Sequence, residues 1–392
     1  MILLSVIGTG SYTKVKYQFD GREAEETNYV VKAIKDIFNP EKIFVLMTEE
    51  SEEKHKKELE QVCDFESIRI QVGKNEEELW DMFSAVVEKV PEEQEVIIDI
   101  THGFRSQPMI LLSIAVYLRV TKNVKIKHIL YGAFDAKQNE VVPIFDLKPF
   151  LDLIDWSFAI DGFLKRGDAS LLSKIVIDLH NSAYKDPKRS ENKSYLPKGL
   201  KSVGSKLNTL SNALSVSRSK EVSDIAKKLT KEIDKAYKDV DNLKQVRPFK
   251  SLLDRIKDIA NKFSVSSNDY FSSEESMRAQ AEIIEFYLET KQYQRAITLA
   301  RELLVSKVCF MFKFDLLTER EKAEEILNSK DSSQQNQIEE DIIKTWRNLV
   351  NVRNDINHAG MRTNPNPSDS IIKQVKKHCK KVIDIIKTTT SN

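Results

Sequence analysis

Glu95-Val96-Ile97-Ile98-Asp99-Ile100-Thr101-His102-Gly103-Phe104-Arg105-Ser106-Gln107-Pro108 decides how the first part of this chain is read. Glu95 to Ile100 is short, apolar and rich in β-branched residues, as a strand buried on both faces must be. Pro108 opens an apolar, helix-like segment to Val120, and proline suits the first turn of a helix. A strand, a tight polar turn and a helix in that order are half of a βαβ crossover. The same alternation continues on either side. Ile2 to Ile7, Lys42 to Met47, Ile68 to Val72 and Lys125 to Phe134 read as strands. Thr27 to Phe38, Glu49 to Val62 and Glu76 to Val90 read as helices. This predicts a mainly parallel sheet covered on both faces over residues 1–150, with the Pro108 helix buried.

From about Phe150 the β-rich runs stop and apolar residues recur at three and four, the spacing of amphipathic helices. Leu151 to Leu164, Ser170 to Tyr184, Glu221 to Leu243, Phe249 to Phe263, Ser276 to Thr290, Tyr293 to Phe314, Glu319 to Asn328, Ile338 to His358 and Ser368 to Thr388 are the expected helices. Pro187 to Gly204 reads as a polar loop and Ser329 to Gln337 as a Ser/Gln-rich connector. The chain of 392 residues is long enough for two or three domains. Its 41% hydrophobic content excludes a disordered chain, and only 11 Gly and 10 Pro disfavour turn-dense all-β architectures. Cys63, Cys309 and Cys379 form no CxxC pair, which fits a reducing compartment. Met1 to Val6 lacks the basic flank of a signal peptide, and the longest apolar run, Met109 to Leu118, is too short to span a bilayer. A cytoplasmic protein with no membrane partner is expected.

Two turns at strand ends are unusually polar. In an open parallel sheet, ligands bind outside the carboxyl ends of the strands. The first turn is Gly8-Thr9-Gly10-Ser11-Tyr12-Thr13, whose glycines admit close backbone approach and whose hydroxyls suit phosphate or ribose oxygens. It lacks the third glycine of a dinucleotide fingerprint and the lysine of a P-loop, so it reads equally as an ordinary turn. The second is Thr101-His102-Gly103-Phe104-Arg105-Ser106, where Arg105 could fork onto phosphate or stack on a base and the following helix start favours an anion. His102 reads alternatively as a structural histidine, and Asp99 as a residue that hydrogen-bonds the loop. The six histidines, 55, 102, 128, 180, 358 and 378, form no HExxH or paired-Cys pattern, so no metal site is expected.

A second constellation lies at Arg353-Asn354-Asp355-Ile356-Asn357-His358. On a helix at 100° per residue, Arg353, Asn357, Asn354 and His358 share a polar arc opposite Leu349, Val352 and Ile356. Gly360 is the expected helix stop. Arg-x4-His occurs once in the chain. RNA is cut when its 2′-hydroxyl attacks the adjacent phosphate, and this needs a proton-transfer group near neutral pH and a fixed cation on the phosphorane. His and Arg supply both without a metal. The bland alternative is a solvated helix face ending in a histidine.

Together these residues resemble the CARF–HEPN ribonucleases of type III CRISPR systems, which are activated by cyclic oligoadenylate. The Asp-x-Thr-His-Gly-Phe-Arg stretch at 99–105 is the most family-specific piece. Gly8-Thr9-Gly10-Ser11 is similar to the family's first nucleotide-contacting turn, and Arg353-Asn354 with His358 to the HEPN signature. Tyr293 to Leu304 looks like another HEPN core helix, and the likeness is weakest over about 180–275. The resemblance implies an α/β Rossmann-like CARF domain with a mainly parallel sheet (1–150), a helical linker or insertion (151–275) and an all-α HEPN domain (276–392). It implies a homodimer in which both copies of Gly8 to Thr13, Thr48 and Thr101 to Ser106 hold one ring made by a type III effector complex, cyclic tetra-adenylate or hexa-adenylate. It further implies that Arg353 and His358, with Asn354 and Asn357 orienting them, form a composite metal-independent site that cuts single-stranded RNA and leaves a 2′,3′-cyclic phosphate. The ring is an activator, and no cofactor is required.

Two rival classes stay open: a CARF transcription regulator, which would end in a basic helix-turn-helix, and an inactive CARF–HEPN interaction module. A dinucleotide oxidoreductase is disfavoured, since no third glycine follows Gly10 and no acidic ribose-binding residue is read at the end of the second strand, Met47-Thr48. The net charge of +1 conceals an asymmetry. Residues 1–150 carry 19 Lys/Arg and 26 Asp/Glu, net −7, and residues 151–392 carry 42 and 34, net +8. Residues 181–262 alone carry 20 and 10, net +10, which reads as either an RNA-attracting field or a solvated helical face.

Overall fold

The computed structural model describes residues 1–392 except 105, 188–194, 268, 272, 330–337, 362 and 389–392. The chain separates into two compact units, Met1–Ile154 and Asp155–Asn392.

The first unit is an eight-stranded sheet. Its strands are β1 (Ile2–Ile7), β2 (Lys16–Phe19), β3 (Arg22–Glu23), β4 (Lys42–Met47), β5 (Glu66–Arg69), β6 (Glu95–His102), β7 (Lys125–Gly132) and β8 (Val141–Asp146), in the order β3-β2-β8-β7-β6-β1-β4-β5. The pairs β5–β4, β4–β1, β1–β6, β6–β7 and β2–β8 are parallel; β7–β8 and β2–β3 are antiparallel. From β1 the chain first forms β2 and β3 at one edge, comes back to β4 beside β1, continues outward to β5 at the other edge, and then returns to β6 on the other side of β1. The strand order therefore reverses between β1 and β6, and the crevice of such a sheet opens at that switch point. Both polar turns leave from there: Gly8 follows β1, and Gly103 follows β6.

Alternation within the strands supplies two apolar layers. Leu4, Val6, Phe44, Leu46, Val96 and Ile98 face α3 (Glu76–Lys89) and α4 (Gln107–Thr121), whose Met82, Val86, Leu111, Ile114 and Leu118 are buried. Leu3, Ile7, Ile43, Val45, Met47 and Ile97 face α1 (Val30–Phe38) and α2 (Glu49–Glu60), which bury Val30, Val31, Ile34 and Leu59. The apolar α4 is not wholly buried as its composition led us to expect. Met109, Tyr117 and Val120 are exposed, because a helix lying on a sheet can bury only the side that faces it.

Three strands escaped the sequence reading. β2 and β3 are short and polar, and Asp20-Gly21 joins them with both residues at positive φ, the conformation of a two-residue hairpin turn. β8 follows Asn139-Glu140, also at positive φ. The strand expected at Ile68 to Val72 is displaced to Glu66–Arg69.

The second unit is all helix: α5 (Lys148–Arg166, which crosses the unit boundary), α6 (Ser170–Lys185), α7 (Leu200–Ser215), α8 (Ser219–Asn242), α9 (Lys250–Phe263), α10 (Glu274–Glu289), α11 (Tyr293–Phe312), α12 (Arg320–Asn328), α13 (Glu340–Asn357) and α14 (Ser368–Thr388). One apolar core runs through it, from Trp156 to Ile386. α7 is a finding, since its first turn falls in the stretch read as a loop. Its N-terminus rests on the buried Asp239 of α8. That carboxylate accepts from the backbone N–H of Lys198 (3.0 Å), Gly199 (2.7 Å) and Leu200 (2.9 Å) and from the Tyr195 hydroxyl (2.6 Å). The cap lies about forty residues downstream, so no local signal announces the helix. The connector expected at Ser329 to Gln337 lies, apart from Ser329, outside the described residues.

Candidate functional site: the strand-end turns and the last turn of α13

At the switch point the two turns touch. The Gly8 amide donates to the His102 carbonyl (2.9 Å), and a β-carbon on Gly8 would stand 2.8 Å from that oxygen, so only glycine lets the turns approach this closely. Beneath them lies a polar relay that crosses three strands. Asp99 of β6, fully buried, accepts from Ser5 Oγ of β1 (2.5 Å) and from the Thr101 hydroxyl (2.6 Å) and amide (3.0 Å). Thr101 Oγ1 in turn accepts from the Gly132 amide at the end of β7 (2.8 Å). Asp99 thus fixes the end of β6, and with it the direction in which the second turn leaves the sheet.

Tyr12 lies over the turns. Its ring stacks on His102 (centroids 3.9 Å apart) and on His55 (4.9 Å), and its hydroxyl donates to the Gly8 carbonyl (2.9 Å). His55 comes from α2 and pairs through Nε2 with the Gly10 carbonyl (2.9 Å) and through Nδ1 with the Tyr29 hydroxyl (3.1 Å). Lys54 Nζ donates to the Thr9 carbonyl (2.7 Å) and to Ser11 Oγ (3.4 Å). Sequence reasoning missed Lys54 and His55. Nothing in a charged helix marks two residues that the β4–α2 connection will carry back to the β1 turn.

The expected ligand residues divide. Gly8 is buried, Thr9 and Tyr12 are half-buried, and Gly10, Ser11 and Thr13 are exposed. Thr101, His102, Gly103 and Phe104 are half-buried, and Ser106 is exposed; Arg105 lies outside the described residues. Thr48 is buried and caps α2, accepting from the Ser51 amide (3.3 Å). The start of α4 is less open to an anion than its position implies. Pro108 has no N–H, Gln107 N donates to Phe104 O (3.0 Å), and Met109 N and Ile110 N donate to Ser106 O.

Burial sets the protonation of the site. Asp99 is pushed up to about 6, because loss of water outweighs the three donors that favour its anion. His102 is pushed down to about 4 by burial and by the neighbouring His55. The two shifts oppose each other in pH. Asp99 binds its proton more tightly in the fold, so its contribution is full below about 3.8 and is lost as pH rises through 6. His102 binds its proton less tightly, so its contribution is full above about 6.5 and is lost as pH falls through 4. Each shift of roughly two units is worth about 3 kcal/mol. Asp99→Asn removes one slope and leaves the other. Urea unfolding at pH 4.5 and 6.5 is expected to show the variant losing about 2 kcal/mol more on acidification than the parent; parallel losses would refute the assignment.

The second unit holds the other constellation. α13 ends in a Schellman turn: Gly360 N donates to Asp355 O (2.9 Å) and Ala359 N to Ile356 O (3.0 Å). Ala359, at φ 53°, takes the left-handed position ahead of Gly360. His358 is therefore the C-cap and lies exposed just past the last helical residue. Leu349 and Val352 are buried and Ile356 packs on the same core, so the expected apolar stripe faces inward. Arg353 is half-buried. Its Nη1 donates to Asn354 Oδ1 (3.3 Å), and with the Asn357 amide turned to present its oxygen, Nε and Nη2 donate to it at 2.8 and 3.2 Å. The guanidinium is thus gripped by the two asparagines of the polar arc.

Among the described residues, no group of three or more His, Cys, Asp or Glu is placed to hold a metal ion, and no helix is long and apolar enough to cross a membrane. Residues 64–135, which carry β6, the second turn and α4, match the family model described as "CRISPR system endoribonuclease Csx1, CARF domain". Residues 152–269 match the model of the second domain of CRISPR-associated protein MJ1674. The chain is also similar to the CRISPR-associated protein MJ1674 of Methanocaldococcus jannaschii, at 32% identity over 111 residues, 27% of this chain. That match spans only 18% of the relative's length. A mainly parallel sheet whose residues 64–135 are similar to a CARF domain, followed by a helical unit whose residues 152–269 are similar to the second domain of a CRISPR-associated protein, supports placing this chain among CARF-containing CRISPR-associated proteins.

Proposed function

We propose that this protein is an endoribonuclease switched on by a cyclic oligoadenylate, cyclic tetra-adenylate before hexa-adenylate. The observation that carries the reading is the end of α13. An exposed His358 follows, five residues on, an Arg353 whose guanidinium is oriented by Asn354 and Asn357. A proton-transfer group beside an oriented cation is what 2′-hydroxyl attack on a phosphodiester requires. In this reading His358 moves the proton, Arg353 stabilises the phosphorane, and the product carries a 2′,3′-cyclic phosphate. The chemistry draws on these side chains alone and uses no metal ion. Two copies of the chain form the composite site as a HEPN-type pair and share one ring across a twofold axis, since a symmetric dimer offers the same groups twice to a ligand that repeats itself.

The acidic first unit recognises the anionic ring through local donors, among them the hydroxyls of Thr9, Ser11 and Thr13. The name of the matching CARF model, which belongs to an endoribonuclease, supports the assignment. Ring binding shifts the dimer between two arrangements, and the differential affinity for them is the regulatory coupling. A fluorescent single-stranded RNA, assayed with EDTA and with or without cyclic tetra-adenylate, tests the reading directly. Cleavage that needs the ring and survives EDTA is the expected result. Ring binding without cleavage would make the chain an interaction module, and retention of duplex DNA in a gel would make it a transcription regulator.

A further inference from the structure

We infer that Tyr12 is a plug standing in a purine slot: the space between the His55 and His102 rings is a binding site for an adenine base, and Tyr12 leaves it when the base enters. The inference deepens the proposed function by naming how one base of the ring is read.

The slot has two walls and an edge. The walls are the imidazoles of His55, from α2, and His102, from the end of β6. They stack on opposite sides of one aromatic ring, at interplanar angles of 29° and 32°. An aromatic ring held between two flat side chains is the arrangement that stacked nucleobases adopt on proteins. The edge is the Gly8 carbonyl, which now accepts the Tyr12 hydroxyl at 2.9 Å. A carbonyl there selects a base edge that donates. The exocyclic amine of adenine donates; the corresponding oxygen of hypoxanthine does not. The slot also holds one unspent polar atom. His102 Nε2 is buried and has no hydrogen-bond partner among the described residues; lying in the plane of the wall, it is open to a group at the rim of the slot and not to the base stacked on its face.

The plug lies on a loop and the walls do not. Tyr12 sits in a segment without regular secondary structure between β1 and β2, and its neighbours Ser11 and Thr13 are exposed. The walls belong to a helix and a strand, and His55 is tied to Tyr29 independently of Tyr12. Swinging Tyr12 out costs one hydroxyl bond and three ring contacts, to His55, His102 and the edge of Tyr29; an incoming adenine replaces the hydroxyl bond and the two histidine stacks. The exchange makes ligand affinity the difference between two stacks.

The test titrates the full chain and two variants, Tyr12→Ala and Tyr12→Phe, with adenosine monophosphate, inosine monophosphate and cyclic tetra-adenylate. Calorimetry reads affinity, and thermal melting establishes folding. Removing the competitor should tighten binding: about tenfold for adenosine monophosphate in Tyr12→Ala, which is about 1.4 kcal/mol, and less in Tyr12→Phe, which keeps the ring and loses the hydroxyl. The inosine nucleotide should gain little. If a folded variant binds the ring with equal or weaker affinity, the plug is refuted while the sensor reading stands. If Tyr12→Ala gains affinity for adenosine monophosphate but nothing binds the ring, the slot stands and the cyclic-oligoadenylate reading fails. If no variant binds any of the three, both are overturned. A variant that gains equally for adenosine and inosine nucleotides overturns the role given to the Gly8 carbonyl.

Discussion

Replacing His358 with alanine is expected to lower ring-dependent RNA cleavage at least a hundredfold while leaving ring affinity unchanged. A positioned general acid or base contributes roughly 10²–10⁴ to a rate, and no other histidine lies in the C-terminal turn of α13. The fold should not notice the change. His358 is exposed, and the bonds that end the helix run through the backbone of Asn354, Asp355 and Ile356. Arg353→Ala should have an effect of similar size, because it removes the phosphate-stabilising cation. Asn357→Ala should cost less, since it frees the guanidinium without deleting it. The measurement is single-turnover cleavage of labelled RNA beside calorimetric titration of the ring. Undiminished turnover in His358→Ala would remove this helix from the chemistry. Loss of ring binding in the same variant would show that the residue acts on the protein and not on the RNA.

The largest expected effect on stability is that of Asp239→Ala. Its carboxylate takes three backbone donors at the start of α7 and the Tyr195 hydroxyl, with no exposed surface of its own. Alanine leaves the N–H groups of the buried Gly199 and Leu200 without a partner, at about 1–3 kcal/mol each, and removes a negative charge from a helix N-terminus. A loss of about 4 kcal/mol or more is expected for the helical unit. In a unit of this size that is about 8–16 °C in Tm. Asp239→Asn keeps one acceptor oxygen in place and should lose about half as much. The loss should appear as unfolding of the whole helical unit, because Val203, Leu207, Leu210 and Leu214 of α7 lie in its main core. A melting point within 2 °C of the parent would show that the cap is dispensable.

Much of this was legible in the chain. The apolar runs Ile2 to Ile7 and Lys42 to Met47 appear as strands with those same ends, and Ser368 to Thr388 is a helix with the ends its spacing predicts. Such segments are decided by period and by the apolar side they must bury. The hairpin at Asp20-Gly21 was legible too, for that dipeptide favours the positive φ of a tight turn, but its flanking strands are too short and polar to draw attention. The placing of Arg353, Asn354 and Asn357 on one arc followed from helical geometry alone. The end of that helix did not, since the left-handed stretch begins at Ala359, one residue before the glycine.

By itself, then, the sequence determined the alternation of strands and helices, the switch to an all-helical second half, and the two turns and one helix face where polar groups concentrate. These depend on residues near one another in the chain, where spacing and local propensity act. Only the tertiary structure decided the contacts between distant segments. Asp239 starts a helix some forty residues before it, Asp99 joins β1 to β7 through Ser5 and Thr101, and His55 crosses from α2 to close on Tyr12. Each is a polar group whose removal from water is offset only by a partner the fold brings to it, so no spacing in the sequence announces it.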